Sequence, residues 1–368
     1  DVSRRLTLLL LRMDLGAQLA ALAEDDEEES APKEEKKLCT VSSRVEVEAP
    51  KSTCILVCGS TDWSTVVKGC KIKAKGAPVL AEAGEEFNAP VRIHGPLDGI
   101  RVLSLGVGPC AAHCFALATE GRVFAWGLNT SGQLGLGDGS PEVVPGPQRA
   151  ALWEKKGGIP VKAACGRTHT LLCYENGAMY SCGAGAKGAL GYGVRKSDLK
   201  DISPAPIRVV SGDIKDSTKI CDVAAGADFS LAISKDGKLY SWGWTEFGKL
   251  GHGDDGCYNT KASSIKLTYT AEGSPKRVRI PRDDSPEANV VSCSAGKNHA
   301  ACVCADGKGM TWGDGAYGKL GHRSQEQIVR PRLLEMVRFS CLYCGDMSTC
   351  GLGWAEYHGR AFTKPDTQ

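Results

Sequence analysis

Apolar residues in the middle of the chain come in short runs broken by glycine, and the runs recur in pairs. In the stretch Cys110 to Asp138, CAAHCFALATEGRVFAWGLNTSGQLGLGD, two such runs, His113 to Thr119 and Arg122 to Trp126, meet at Thr119-Glu120-Gly121. That arrangement predicts a β-hairpin. A second glycine cluster follows at Gly127, Gly132-Gln133-Leu134-Gly135 and Gly137-Asp138. Glycine tolerates positive φ and weakens strand interiors, so this cluster reads as sharp loops. Between residues 100 and 325 no helix-period pattern of useful length appears.

The same pattern returns in register. A histidine-type position falls at His113, His169, Phe229 and His299, and a hairpin glycine at Gly121, Gly177, Gly237 and Gly307. The pair Trp126-Gly127 is echoed by Cys182-Gly183, Trp242-Gly243 and Trp312-Gly313. Gly-x-Leu-Gly ends at Gly135, Gly191, Gly251 and Gly321. All four marks move by the same intervals of 56, 60 and 70 residues. Distances inside a unit are fixed while those between units vary, so the unit is a compact element with elastic loops. Several short strands with a glycine turn at each end fit a blade of a β-propeller, whose small twisted sheets bury their faces only against neighbours. A catalytic histidine is needed once, so histidines that recur in successive units are read as structural.

Gly166-Arg167-Thr168-His169-Thr170, Trp242-Gly243 and Gly248-Lys249-Leu250-Gly251-His252-Gly253-Asp254 resemble the repeat of the regulator of chromosome condensation family. Cys110-Ala111-Ala112-His113, Thr119-Glu120-Gly121 and Gly132 to Gly135, with the long insertion before the fourth unit, resemble the family's telophase-disc branch. The resemblance covers roughly residues 51 to 340. It implies an all-β fold, a propeller whose family form has seven blades, with about four full and two partial repeats in this chain. It also implies a non-enzymatic interaction protein that binds small GTPases of the Rac, Ral or Arf kind. Chromatin, microtubules or cell-edge complexes in cell division would be further partners, and the nucleus and cytoplasm the place of work. Two alternatives go with the family: guanine-nucleotide exchange, as the founding member performs on the GTPase Ran, and substrate recruitment for a ubiquitin ligase.

The units divide the chain into a short N-terminal helix or tail (1–23), an acidic linker expected to be disordered (24–50) and the propeller (51–368). Ile55 to Gly59 matches Phe124 to Gly127 and opens the propeller in mid-unit, with Thr61 to Gly99 as a long connection. Cys344 to Ser348 resembles the start of a fifth unit and Gly359 to Phe362 its hairpin turn, but the pattern decays after about residue 340. The expectation is a fragment or truncated homologue of a longer propeller.

Composition adds restraint. A net charge of +2 with 24 % charged residues gives no global field of the kind a dedicated nucleic-acid binder carries. Charged contacts must therefore be local, and the insertion before the fourth unit offers the best candidate patch, Lys276, Arg277, Arg279 and Arg282. Alternation along that segment predicts Lys276, Val278 and Ile280 on one face and the two arginines on the other. Of the 17 cysteines, Cys114, Cys165, Cys173, Cys182, Cys221, Cys293 and Cys302 lie in apolar strand-like runs, where a free thiol packs as a small hydrophobe, and this points to a reducing compartment. Arg12 and Asp14 cut short the leucine run Leu8 to Leu11, so no membrane span is expected. Cys341-Leu-Tyr-Cys344 with Cys350 and His358 lacks a second pair at metal-ligand spacing. No phosphate-binding glycine loop appears. Neither a metal, a cofactor nor a small-molecule substrate is expected.

Overall fold

The structure, a computed structural model, describes residues 55–60, 86–93, 95–193, 202–259, 267–281 and 289–353. The expectations for 1–23, 24–50, Arg282 and the turn at Gly359 to Phe362 lie outside these residues.

The chain opens with a two-stranded antiparallel piece, β1 (Leu56–Ser60) and β2 (Glu86–Arg92). Strand β2 lies within the stretch from Thr61 to Gly99 that reads from sequence as connection alone, and the two strands take the third and fourth places of a blade. The first full blade is the meander β3 (Val102–Gly106), β4 (His113–Ala118), β5 (Val123–Leu128) and β6 (Val143–Arg149). The second follows as β7 (Pro160–Cys165), β8 (His169–Tyr174), β9 (Met179–Ala184) and β10 (Ile202–Arg208). In the third blade, β11 (Ile220–Ala225), β12 (Phe229–Ser234) and β13 (Leu239–Trp244) are followed by a separate hairpin, β14 (Cys257–Asn259) with β15 (Leu267–Tyr269). The fourth strand, β16 (Ala271–Val278), then pairs back onto β13. The fourth blade comprises β17 (Val290–Ala295), β18 (His299–Cys304), β19 (Lys308–Gly313) and the first part of β20 (Ile328–Cys344). Strand β20 does not stop at the blade border. Its last residues become the inner strand of a fifth unit and pair with β21 (Thr349–Gly353).

This is an all-β propeller of four-stranded antiparallel blades. The inner strands of successive blades lie beside one another, and the apolar clusters fill the wedges between blades. Each meander puts the turns joining strands one to two and three to four at one end, called here the upper mouth. The hairpin turns between strands two and three, and the links between blades, occupy the lower mouth.

The third-strand glycine explains why the repeat is rigid in sequence. Gly183 has φ +111°, and a Cβ there would sit 2.2 Å from the Thr168 carbonyl oxygen. Gly127, Gly243 and Gly313 meet the equivalent backbone at 2.6 Å, so strand three can cross the start of strand two only without a side chain.

The recurring histidines build the joints between blades. His113 Nε2 lies 2.7 Å from Thr170 Oγ1, His169 Nε2 is 3.0 Å from Ser230 Oγ, and His299 Nε2 is 3.0 Å from Thr349 Oγ1. Each hydroxyl in turn donates its one proton to a carbonyl of the Gly-x-Leu-Gly turn, Gln133, Ala189 or Lys319 respectively. That commitment leaves the imidazole to donate, so each ring carries a proton on Nε2. Burial pushes the imidazolium form down, to about 3 for His113 and about 4 for His169 and His299. His252 and His322 repeat this logic within a blade, donating to Ser241 and Thr311, whose hydroxyls donate to the Leu250 and Leu320 carbonyls.

Trp242 and Trp312 are fully buried and donate Nε1–H to the Ala189 and Lys249 carbonyls, across the joint that His169 also spans and across the next one. Cys182 stands where the next tryptophan belongs, and its thiol reaches the equivalent Gln133 carbonyl at 3.2 Å. The volume that Cys182 leaves is taken by Trp153, from a short helix (Ala151–Glu154) outside the repeat. Trp153 is fully buried, donates to the Leu134 carbonyl at 3.0 Å and meets Phe115 edge to face at 5.8 Å. Trp126 packs with Ile55, Ile93 and Leu97, tying the first blade to the leading pair of strands.

Candidate interaction surfaces

The basic segment singled out in the sequence is not an inserted strand. Residues Ala271–Val278 are the ordinary outer strand of the third blade, and the extra length before the fourth unit is carried partly by the hairpin β14–β15. The expected single face does not hold: Val278 is buried and Ile280 half-buried, but Lys276, assigned to the same face, is exposed, as is Arg279. The Arg277 backbone N–H donates to the Asp213 carboxylate at 2.8 Å, which joins this strand to the link between the second and third blades. Lys276, Arg277 and Arg279 thus follow one another along an outer edge, and no second charged element brings them to a common centre among the described residues.

The upper mouth brings more chemistry together. The turn after each inner strand begins with glycine, and the next residue is Arg167, Ala227, Lys297 or Asp346 in successive blades. Backbone bonds run from one turn to the next: Arg167 N–H to the Ala227 carbonyl, Ala227 N–H to Lys297, and Lys297 N–H to Gly345. On this ladder the charges interlock. Lys187 reaches the Asp228 carboxylate at 2.8 Å, Arg167 reaches it at 3.8 Å, and Lys297 pairs with Asp346 at 3.4 Å. Burial works to raise the Asp228 carboxyl, but the bond from Lys187 and the nearby Arg167 outweigh it and hold the group below the usual range. Lys249 lies behind Asp228 with its ammonium buried, 3.0 Å from Asn298 Oδ1 and 3.8 Å from Glu246. Burial brings it down to about 8 against the attraction of Glu246 and Asp228. Cys110 completes the mouth from the first blade, its thiol raised to about 11, first by burial and then by Asp346.

Sequence reasoning missed this cluster because the Gly-x-Leu-Gly pattern leaves x undefined, and Lys249 occupies that position. Arg167, Lys297 and Asp346 likewise follow an invariant turn glycine at a place where the repeat dictates no residue type. Asp228 and Asp346 are each matched by a cation and the Cys110 thiol is held protonated, while the histidine–hydroxyl pairs of the described residues are spoken for by the backbone carbonyls that their hydroxyls bond. Cys341, Cys344 and Cys350 do not converge with a further ligand among them. Such a surface is suited to recognising a partner by charge.

Three stretches, residues 120–173, 176–233 and 236–303, match the model of the regulator of chromosome condensation (RCC1) repeat. The RCC2 homolog of Danio rerio is 34 % identical over 340 residues, covering 88 % of this chain and 64 % of the fish protein. The chain therefore spans under two thirds of that relative. Among solved structures, yeast RCC1 (Prp20) bound to Kap60 superposes with a TM-score of 0.59 at 21 % identity, over 74 % of this chain and 58 % of the yeast one. A second structure of Prp20p from Saccharomyces cerevisiae, described together with its binding to Gsp1p and histones, gives 0.55 at 20 % identity, over 74 % and 60 %.

Proposed function

Because the chain belongs to the RCC1 repeat family and lies close to RCC2, we propose that it is a non-enzymatic interaction propeller whose upper mouth docks a small GTPase. The observation that carries this reading is the set of paired charges on Arg167, Lys187, Asp228, Lys297 and Asp346, held in place by the backbone ladder between turns. Pre-paired charges on a stiff frame give orientation and partner discrimination at little ordering cost. The binding of Prp20p to Gsp1p and histones supports a GTPase first and a chromatin protein second. With this reading go a role in cell division, microtubule or cell-edge partners, and work in both nucleus and cytoplasm. The test is retention of nucleotide-free and nucleotide-loaded GTPases of the Rac, Ral, Arf and Ran kinds on the immobilised chain. Binding that Arg167→Glu with Lys297→Glu abolishes supports the mouth, and failure to retain any of them sinks the proposal.

The hairpin β14–β15 favours a second reading, guanine-nucleotide exchange. Exchange needs an element that wedges into a nucleotide site and binds the emptied GTPase better than the loaded one. This hairpin stands apart from the sheet of its blade, with Tyr258 exposed. Release of a fluorescent nucleotide separates the two readings: a binder that leaves the release rate unchanged is not an exchange factor. Substrate recruitment to a ubiquitin ligase is favoured by no feature among the described residues.

A further inference from the structure

The lower mouth carries a repeated irregularity. Each inner strand breaks register with its neighbour one residue after it starts, between Val102 and Ser104, Pro160 and Lys162, Ile220 and Asp222, and Val290 and Ser292. The skipped residues are bulges, and a bulge re-aims a side chain out of the ladder. They are Leu103, Val161, Cys221 and Val291, and all four are exposed, the three aliphatic ones at 53, 44 and 56 %. Ile159, just ahead of its strand, adds 48 %. Since the inner strands lie side by side, these residues form one apolar arc around the lower mouth. Fold closure does not require it, since a polar residue serves equally: Ser340 occupies the same bulge between Phe339 and Cys341.

Around the arc the hairpin-turn carboxylates Glu120, Asp236 and Asp306 are paired with Arg122, Lys238 and Lys308, and the residues leading into the inner strands add positive charge. The residues that precede the inner strands are Arg101, Ile159, Lys219, Asn289 and Arg338, equivalent because each precedes the residue that opens the pairing. Lys235 stands beside them, its backbone N–H bonded to the Lys219 carbonyl and its ammonium to the Glu175 carbonyl. A ligand for this surface needs apolar side chains followed by carboxylates. The chain itself contains that order: Leu6 to Leu11, then Glu24-Asp-Asp-Glu-Glu-Glu29. It also arrives from the right side. The Ile55 carbonyl accepts the Ile93 N–H as the Val123 carbonyl accepts the Ala150 N–H. Ile55 therefore holds the place of Val123, directly after a lower-mouth turn, and the chain enters β1 at that end. The stretch from Glu29 to Ile55 reaches roughly 80 Å when extended, enough to cross the face.

We propose that the chain's own N-terminal segment docks on the lower mouth, with Leu6 to Leu11 on the arc of Leu103, Val161 and Val291 and the acidic run over Arg101, Lys219, Lys235 and Arg338. The surface would then be occupied until a partner with the same apolar-acidic order displaces the segment. Zero-length carbodiimide cross-linking of the full chain, read by mass spectrometry, tests this. The expected products join carboxylates of Glu24 to Glu29 to Lys219 or Lys235 and not to Lys187 or Lys297 at the upper mouth. Leu103→Asp with Val291→Asp changes only exposed residues, and it lowers those products at least about tenfold, since loss of even one of the two buried apolar side chains is worth that much. A retained melting temperature for that variant shows that the fold survives. Cross-links spread over both mouths, or unchanged by the double substitution, overturn the proposal. So do cross-links that join light and heavy chains in an isotopically mixed sample, since these would assign the surface to a second copy.

Discussion

The joint between the second and third blades and the joint between the third and fourth solve one packing problem in two ways. In the first, His169 donates to Ser230, which donates to the Ala189 carbonyl. In the second, Phe229 replaces the histidine, Ala300 takes the place of the hydroxyl residue, and both pack into an apolar cluster. Neither half of the exchange works alone. A buried imidazole N–H without an acceptor is costly, and a hydroxyl facing a phenyl ring loses a partner. The change at residue 229 thus explains the one at residue 300, and what the blade conserves is a satisfied contact and not a residue type.

What both joints share is the larger contribution. Trp242 and Trp312 close their joints with a buried ring and an indole bond, and at the joint before them Trp153 does the same from outside the repeat. Trp153→Ala empties a fully buried site next to Phe115, and the expected loss is about 3–5 kcal/mol in denaturant unfolding. A variant that melts like the parent would show that Cys182 needs no compensation. Next in size is the crossing glycine. Gly183→Val and Gly243→Val place Cβ atoms against backbone at 2.2 and 2.6 Å with φ beyond +100°, and each loses roughly 3 kcal/mol. The two losses should be alike, because the polar joint and the apolar one depend on the same crossing.

The exchange itself can be reversed. Phe229→His alone puts a donor opposite a methyl group and costs about 2 kcal/mol. Adding Ala300→Thr supplies a hydroxyl whose proton has a destination in the Lys249 carbonyl. That oxygen already accepts Trp312, just as the Ala189 carbonyl accepts both Trp242 and Ser230. The double variant regains more than half of the loss, and the coupling shows in a double-mutant cycle. Simple addition of the two effects would mean that the pairing at the other joints is incidental.

These joints also mark where sequence reasoning succeeds and stops. The glycines and tryptophans recur because backbone crossing and wedge filling admit few residues, so Gly127, Gly183, Gly243 and Gly313 announce the blade by themselves. The hydroxyl partners stand 57 and 61 residues from their histidines, and serine and threonine are too common to signal a role. Trp153 belongs to no repeat, so periodicity cannot reveal it. The upper mouth was hidden for the opposite reason: Arg167, Lys297 and Asp346 sit at one repeat position but differ in charge, and only the ring arrangement brings them together. Lys276 and Arg277 drew attention as a local run of charge, yet pairing onto β13 makes them part of an ordinary outer strand.

The smallest effect distinguishes the two joints by pH. In the unfolded chain a histidine titrates near 6.5, and in the fold His169 titrates near 4. The folded state therefore binds fewer protons between these values, so stability is full above pH 6.5 and falls as pH drops toward 4. Between pH 7 and 5.5 the loss is roughly 1 kcal/mol for each such histidine. His113, His299, His252 and His322 move in the same direction and set the background slope. The joint of Phe229 and Ala300 adds nothing to it. Copying that joint into the preceding one, His169→Phe with Ser230→Ala, should remove one histidine's share of the slope and leave the rest, as measured by unfolding at a series of pH values. An unchanged slope would mean that His169 is not held neutral by its burial between the blades.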